Sequence, residues 1–333
     1  MNPIRSVKKT ESGDGGVTIV NRAEEREETA MRRLQLGMWH QCDPARWERY
    51  SLGMLNGLEI SGYQDEAELE KARTFCDRHG LQFGVHGPIL SGRGYELPLL
   101  LSPDAAERGE ALRRVEAETE LASRYGADYI LFHYPYLPVF QPPLRRRFAR
   151  MPDAAARYGY DRLPIDRFRS LSERLFAELE QLQRRYDQRI VLEHDFFGDY
   201  GDWVAEAFEN HPSIGLVVDT ARLDIAAKAF HDFDPFAWLE RTASSVYVVH
   251  YSNVHYADET FVHHLPVRKG QDGDATYGEA YAYLAFVAAR NSRFHLTFEH
   301  DADRVGTDEL AEIYRRAAAV CGLTGEAHAA ENR

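Results

Sequence analysis

Four apolar runs in the second half of the chain each finish on a side chain able to hold a metal ion: IVLE at Glu193, LVVD at Asp219, VYVVH at His250 and LTFE at Glu299. A short apolar run reads as a parallel strand covered on both faces, where a terminal charge is costly unless it points into a site. Two glutamates, one aspartate and one histidine supply hard oxygens plus a borderline nitrogen. That donor set suits one divalent ion (manganese, magnesium, cobalt, iron or zinc) and leaves coordination positions for substrate oxygens. Any one of the four is equally well explained as an ordinary loop-facing polar residue, but four in consecutive strands point to a shared site. No organic cofactor is indicated.

Two more histidines close earlier strands, His86 in FGVHGP and His133 in ILFHYPY. They are expected at the same mouth, as further ligands or as hydrogen-bond partners of substrate hydroxyls. Trp39, His40 and Glu59, in the first two strands, are expected to line the pocket; Glu59 reads equally well as a buried support.

The elements that must position these residues are legible as alternation. Eight apolar runs, LQLGMW, GLEIS, LQFGVH, DYILFH, RIVLEH, IGLVVD, VYVVHY and FHLTFEH, are separated by segments of helical periodicity. Leu69, Ala72, Phe75 and Cys76 form one helical stripe, with Asp65 as its cap and Gly80 as its stop. Ser102 and Pro103 read as the cap and first residue of a helix that carries Leu112, Val115, Ala122 and Tyr125 and ends at Gly126. Phe168, Leu171, Leu175, Leu179, Leu182 and Tyr186 repeat the pattern, as do Leu310, Ile313, Tyr314 and Ala317. Strand then helix, eight times, predicts a parallel (β/α)8 TIM barrel. An open doubly wound sheet would carry a glycine-rich first turn, and no GxGxxG follows the first strand. The barrel is expected over residues 33–323, between a polar N-terminal tail (1–32) and a C-terminal tail (324–333). Long excursions at residues 135–165 and 254–278 belong over the C-terminal mouth, where barrel active sites are built.

Composition narrows the partners. With 53 acidic against 40 basic residues the chain of 333 carries a formal charge of −13, which disfavours nucleic acid as a ligand. No apolar stretch approaches a membrane span, and a cytoplasmic protein is expected. Cys42, Cys76 and Cys321 lie far apart without CxxC spacing, so neither a disulfide framework nor a cysteine zinc site is indicated. The oligomeric state stays open, a homo-oligomer included.

The stretch FGVHGPIL and the following LPLLLSPDAAERGEALRRVEAETELASRYGADYILFHYP resemble the third strand, third helix and fourth-strand histidine of the xylose isomerase-like barrels. That family includes sugar and sugar-phosphate isomerases and epimerases and the endonuclease IV branch, and the resemblance covers about residues 34–322. It implies Glu193, Asp219, His250 and Glu299 as metal ligands. It further implies Glu193 and Glu299 as an acid/base pair on opposite sides of a small polyhydroxylated or phosphorylated substrate, working through an enediolate. His86, His133, Arg222, His264, Trp39 and Glu59 are the expected substrate contacts.

The chain also departs from the pattern. Where the family's sixth strand reads Asp-x-x-His, this one reads DTAR, with Arg222 suited either to a phosphate or carboxylate or to an ion pair with a nearby acid. FVHHLPVRKG keeps His263 and His264 but has Phe261 where the endonuclease branch carries an acid, which weakens a three-metal site. Arg268 and Lys269 are candidate anion contacts. Arg145, Arg146, Arg147 and Arg150, among Tyr134, Tyr136, Phe140 and Phe148, read either as a solvated face or as a recruiter of acidic substrate. An isomerase or epimerase is the first expectation. A metal-dependent lyase or dehydratase, an endonuclease IV-like phosphodiester hydrolase and a non-catalytic metal-binding barrel are the alternatives.

Overall fold

The computed structural model describes residues 32–91, 97–135, 163–197, 200–230, 233–257 and 260–323. The expected tails, apart from Arg32, and the arginine cluster 145–150 with Tyr136, Phe140 and Phe148 lie outside those residues.

Strands β1 (Leu34–Trp39), β2 (Gly57–Ser61), β3 (Gln82–His86), β4 (Tyr129–Tyr134), β5 (Arg189–His194), β6 (Gly215–Asp219) and β7 (Val246–Tyr251) are followed by β8 (Asn253–Ala257), β9 (Thr260–Leu265) and β10 (His295–Phe298). Between them run helices α1 (Pro44–Tyr50), α2 (Glu66–His79), α3 (Ala105–Tyr125), α4 (Ile165–Tyr186), α5 (Gly201–Asn210), α6 (Thr220–Ala229), α7 (Pro235–Thr242) and α8 (Ala280–Ala288), with α9 (Thr307–Val320) last. Eight strands close in the order β1-β10-β7-β6-β5-β4-β3-β2, all paired in parallel, which is the expected (β/α)8 barrel. No helix among the described residues is long and apolar enough to cross a membrane.

Alternation along the strands separates two cores. Ile130, Leu192, Val218 and Val249 face outward into the main apolar cluster, against Leu175, Phe176 and Leu179 of α4 and their counterparts on other helices. Each such aliphatic side chain contributes roughly 1.5–3 kcal/mol by leaving water. Tyr129, Leu131, Val191, Val217 and Val248 form a separate cluster on the opposite strand faces, inside the barrel. Successive side chains alternate, so the residues two beyond Leu131, Val191, Val217 and Val248 also face inward. Those residues are His133, Glu193, Asp219 and His250.

Two expectations need correction. The helix after β3 starts at Ala105 and is capped by Asp104, whose carboxylate accepts from the Ala106 and Glu107 amides. Ser102 instead forms the preceding turn, accepting from the Asp104 amide and donating to Glu107. The excursion after β7 is also more regular than expected, because β8 and β9 pair antiparallel as a hairpin. Strand β10 ends at Phe298, which leaves Glu299 one residue beyond it.

A glycine governs the barrel floor. A Cβ on Gly84 would overlap the Tyr129 ring, so that ring fills the barrel axis only because β3 has no side chain there. Gly84→Ala is therefore expected to lower stability by about 1–3 kcal/mol through overpacking. Denaturant unfolding checks this, and a loss below about 0.5 kcal/mol, the scatter of surface substitutions, would contradict the close packing.

Candidate metal centre

Glu193 is the hub of the site, with 1% of its side chain exposed. Strand β5 carries it inward between the apolar residues Leu192 and Val191 and the more polar mouth. Its Oε2 lies 3.3 Å from His86 Nε2 and 3.5 Å from His133 Nε2, and the two imidazole nitrogens are 3.2 Å apart. The same oxygen is 3.6 Å from His250 Nδ1, which in turn is 3.2 Å from Glu299 Oε2. Glu193 Oε2, His250 Nδ1 and Glu299 Oε2 are all buried, and none has a hydrogen-bond partner of good geometry among the described residues.

These spacings fit a cation. Metal–ligand bonds of about 2.0–2.2 Å in a tetrahedron put neighbouring donor atoms roughly 3.3–3.6 Å apart. Two foci share Glu193. One, of His86, His133 and Glu193, is the only such group among the described residues whose donor atoms all lie within 4.8 Å of one another; the other, of Glu193, His250 and Glu299, is an open chain joined through His250 Nδ1. The sequence leaves the two histidines as further ligands or as partners of substrate hydroxyls; here they stand on the same carboxylate oxygen.

Electrostatics follow the crowding. Burial alone would raise the Glu193 pKa, but His133, His250 and Arg222 outweigh it and hold the carboxyl well below the usual range. Burial likewise opposes ionisation of Glu299, yet His250 and His264 bring its pKa down to about 2. Asp219 moves the other way, to about 6, under burial and the charge of Glu299. Burial opposes a charge on His250, but Glu59, Glu299 and Glu193 raise its pKa well above the ordinary imidazole value. His86 and His133 split: Glu193 overcomes burial at His86, whereas at His133 burial prevails and the pKa falls to about 3.

Arg222 settles between carboxylates. Its Nη1 donates to Asp195 Oδ1 at 2.6 Å, and its Nε lies 3.6 Å from Glu193 and 3.8 Å from Asp219. Of the two readings of Arg222, pairing with a nearby acid is the arrangement adopted here. Asp195 escaped the sequence reading because it follows the strand instead of ending it; the signal was the second acid in EHD. Asp219 ends β6 and caps α6, accepting from the Arg222 amide at 2.9 Å.

The remaining expected residues divide by depth. Trp39 is half-buried and packs edge-on to His86, ring centroids 6.2 Å apart. His264, half-buried on the hairpin, acts electrostatically on both Glu299 and Asp219, while His263 beside it and His40 just past β1 are exposed. Glu59 is fully buried, and its carboxylate meets His250 Nε2 at 3.0 Å. It sits two residues below the end of β2, an arrangement in keeping with the buried support that the sequence equally allows. Arg268 pairs with Glu309 at 3.0 Å, away from these foci.

A family model described as xylose isomerase-like TIM barrel matches residues 51–318. No curated protein matches the sequence. Among solved structures, a Thermus thermophilus protein soaked with zinc chloride is 22% identical at a TM-score of 0.56, covering 86% of this chain and 98% of its own. Mannonate dehydratase from Streptococcus suis is 12% identical at 0.59, with 89% and 96% covered. The 3-keto-D-glucoside 4-epimerase of E. coli is 15% identical at 0.53, with 88% and 100% covered. At these identities the likeness is one of fold.

Two expectations follow from the charges. Groups that take a cation must first lose their protons, and here the surrounding acids favour the protonated form of His250 while burial and Glu299 push Asp219 up to about 6. Zinc or manganese affinity should therefore rise between about pH 5.5 and 7.5, with protons released into buffer. Calorimetry in two buffers of different ionisation heat measures this, and a pH-independent affinity would contradict it. Removing the guanidinium in Arg222→Met strands Asp195 in a buried site, at a cost of about 3–5 kcal/mol in unfolding free energy. A loss under about 0.5 kcal/mol would show that the pair matters little.

Proposed function

The chain belongs to the xylose isomerase-like TIM barrel family, and on that premise we propose that it is a divalent-metal-dependent isomerase or epimerase of a small sugar, sugar phosphate or sugar acid. The observation that carries this reading is the approach of two buried carboxylates, Glu193 and Glu299, to one imidazole nitrogen of His250 from different strands. Strand β7 neighbours β10 on one side, and β6 then β5 on the other, so the carboxylates come from opposite directions. A substrate held between them presents each face of a carbon to one carboxylate.

Glu193, Asp219, His250 and Glu299 would hold the ion, and their mixed oxygen and nitrogen donors suit manganese, magnesium, cobalt, iron or zinc. A bound divalent cation supplies Lewis acidity to a carbonyl and its neighbouring hydroxyl. Both glutamates are held ionised by surrounding cationic groups, the protonation state a general base requires, although the same groups lower their basicity. One takes the proton beside the carbonyl; the other, after picking up a proton from solvent at the mouth, returns it on the opposite face. Trp39 contributes an apolar wall next to His86 that limits water. Arg222, paired with Asp195 and beside Glu193 and Asp219, offsets part of the negative charge at the edge of the site.

A neighbouring fold that carries a mannonate dehydratase keeps a lyase close to this reading, since both reactions begin with the same proton abstraction. The compact group of His86, His133 and Glu193 favours one further alternative, a phosphodiester hydrolase using more than one ion.

Solvent exchange separates the proton-transfer readings from the hydrolase. In deuterated water, across ketoses and sugar acids, the protein with about one ion per chain is expected to incorporate deuterium beside the carbonyl. Glu193→Gln and Glu299→Gln should each slow this by roughly 10²–10⁴-fold. Two or three zinc ions per chain with phosphodiester cleavage and no exchange would transfer the assignment to the hydrolase, and unchanged exchange in both variants would remove the glutamates from the chemistry.

A further inference from the structure

Below the metal centre the barrel holds a second polar layer that the proposed proton transfer does not use. Its centre is Glu59, 0% exposed, in the middle of β2. In the parallel register Glu59 stands between Gly37 of β1 and Gly84 of β3. With no side chain on either flank, the carboxylate can reach across the barrel to His250 on β7, where Nε2 lies 3.0 Å from Oε1 and 3.2 Å from Oε2.

The hydrogen bonds around Glu59 run in one direction. Gln35 Nε2 donates to the Tyr129 hydroxyl at 2.8 Å and to Thr297 Oγ1 at 2.9 Å. Each hydroxyl is thereby obliged to turn its own proton elsewhere, and both donate to Glu59 Oε2. Gln35 is itself oriented, since its Oε1 accepts from Arg33 Nε at 2.9 Å, and Arg33 pairs with Asp128. The floor of the barrel thus delivers donors to Glu59 and leaves it as a pure acceptor. An acceptor facing an imidazole nitrogen requires a proton on that nitrogen.

We infer that Glu59 is a positioning residue that fixes His250 with its proton on Nε2, so that the Nδ1 lone pair is aimed at the focus between Glu193 and Glu299. This rests on the proposed metal centre and deepens it. It assigns the layer formed by Arg33, Gln35, Tyr129 and Thr297 to metal affinity, beyond its contribution to packing. Carboxylates behind a metal-bound histidine hold the ring's tautomer and direction, and their loss typically weakens the metal 10–100-fold.

Glu59→Gln tests it on the full chain. The amide presents N–H where an acceptor was, so it must oppose either the His250 Nε2 proton or the Tyr129 hydroxyl proton. Competition against a chromophoric chelator should show zinc binding weakened by about 10–100-fold, with far-ultraviolet circular dichroism unchanged. Tyr129→Phe, which removes one donor and leaves the carboxylate, should weaken it by about 2–10-fold. Nitrogen-15 spectra of histidine-labelled, zinc-loaded wild-type protein should show His250 protonated on Nε2 and ligating through Nδ1. This spectrum decides the matter even if a variant fails to fold. The inference is overturned by zinc coordination through Nε2, or by zinc affinity in Glu59→Gln within about twofold of wild type. Zinc binding by wild type with no change in the variant overturns this inference alone, whereas a wild-type chain that binds no zinc overturns the metal centre with it.

Discussion

An ionised carboxylate withdrawn from water costs several kcal/mol unless positive charge is brought to it, and Glu193 is where this barrel must bring it. Two strands and one helix answer that demand with charge, β3 with His86, β7 with His250 and α6 with Arg222, while β4 sets the neutral imidazole of His133 on the same oxygen. Two of these groups are drawn into further acids as well. His250 serves Glu299 and Glu59, and Arg222 serves Asp195 and Asp219. The mouth is therefore a lattice of alternating charge in which acids remain in excess, in keeping with the acidic chain as a whole. A divalent cation would relieve the excess at the carboxylate where the two foci meet.

Much of this lattice was legible because two periodicities agree. Parallel strands buried on both faces read as apolar runs, and side-chain alternation then sends every second residue inward, so Glu193, Asp219 and His250 could be placed on one barrel face from their spacing alone. Parity does not give depth. Glu59 shares the inward face with those residues but lies lower, level with Gly37 and Gly84, which is why the sequence leaves it open between pocket residue and buried support. Nor does parity reach beyond strand ends: Asp195 and Arg222 meet only because the turn after β5 and the first turn of α6 converge.

Local chemistry set other limits. Ser102 and Asp104 are both competent caps, and the choice between them depends on where α3 packs, which three consecutive residues cannot specify. The β8–β9 hairpin was hidden for a related reason. Its strands, NVHYA and TFVHHL, mix polar and aromatic residues on a largely solvated pair, so neither a continuous apolar run nor a clean alternation marks them. Yet the hairpin has firm anchors: Tyr256 of β8 donates to the buried Asp224 of α6, which also accepts from Tyr283. His264 owes its place near Glu299 and Asp219 to that docking.

The Tyr129 ring lodged against Gly84 stoppers the barrel below Glu59. On the proposed reading, an ion held above that floor by Glu193, His250 and Glu299 would have to leave by the mouth, past any substrate that had followed it in. Metal loss would then track how long the site stands without substrate, and a buried glycine would bear on cofactor retention.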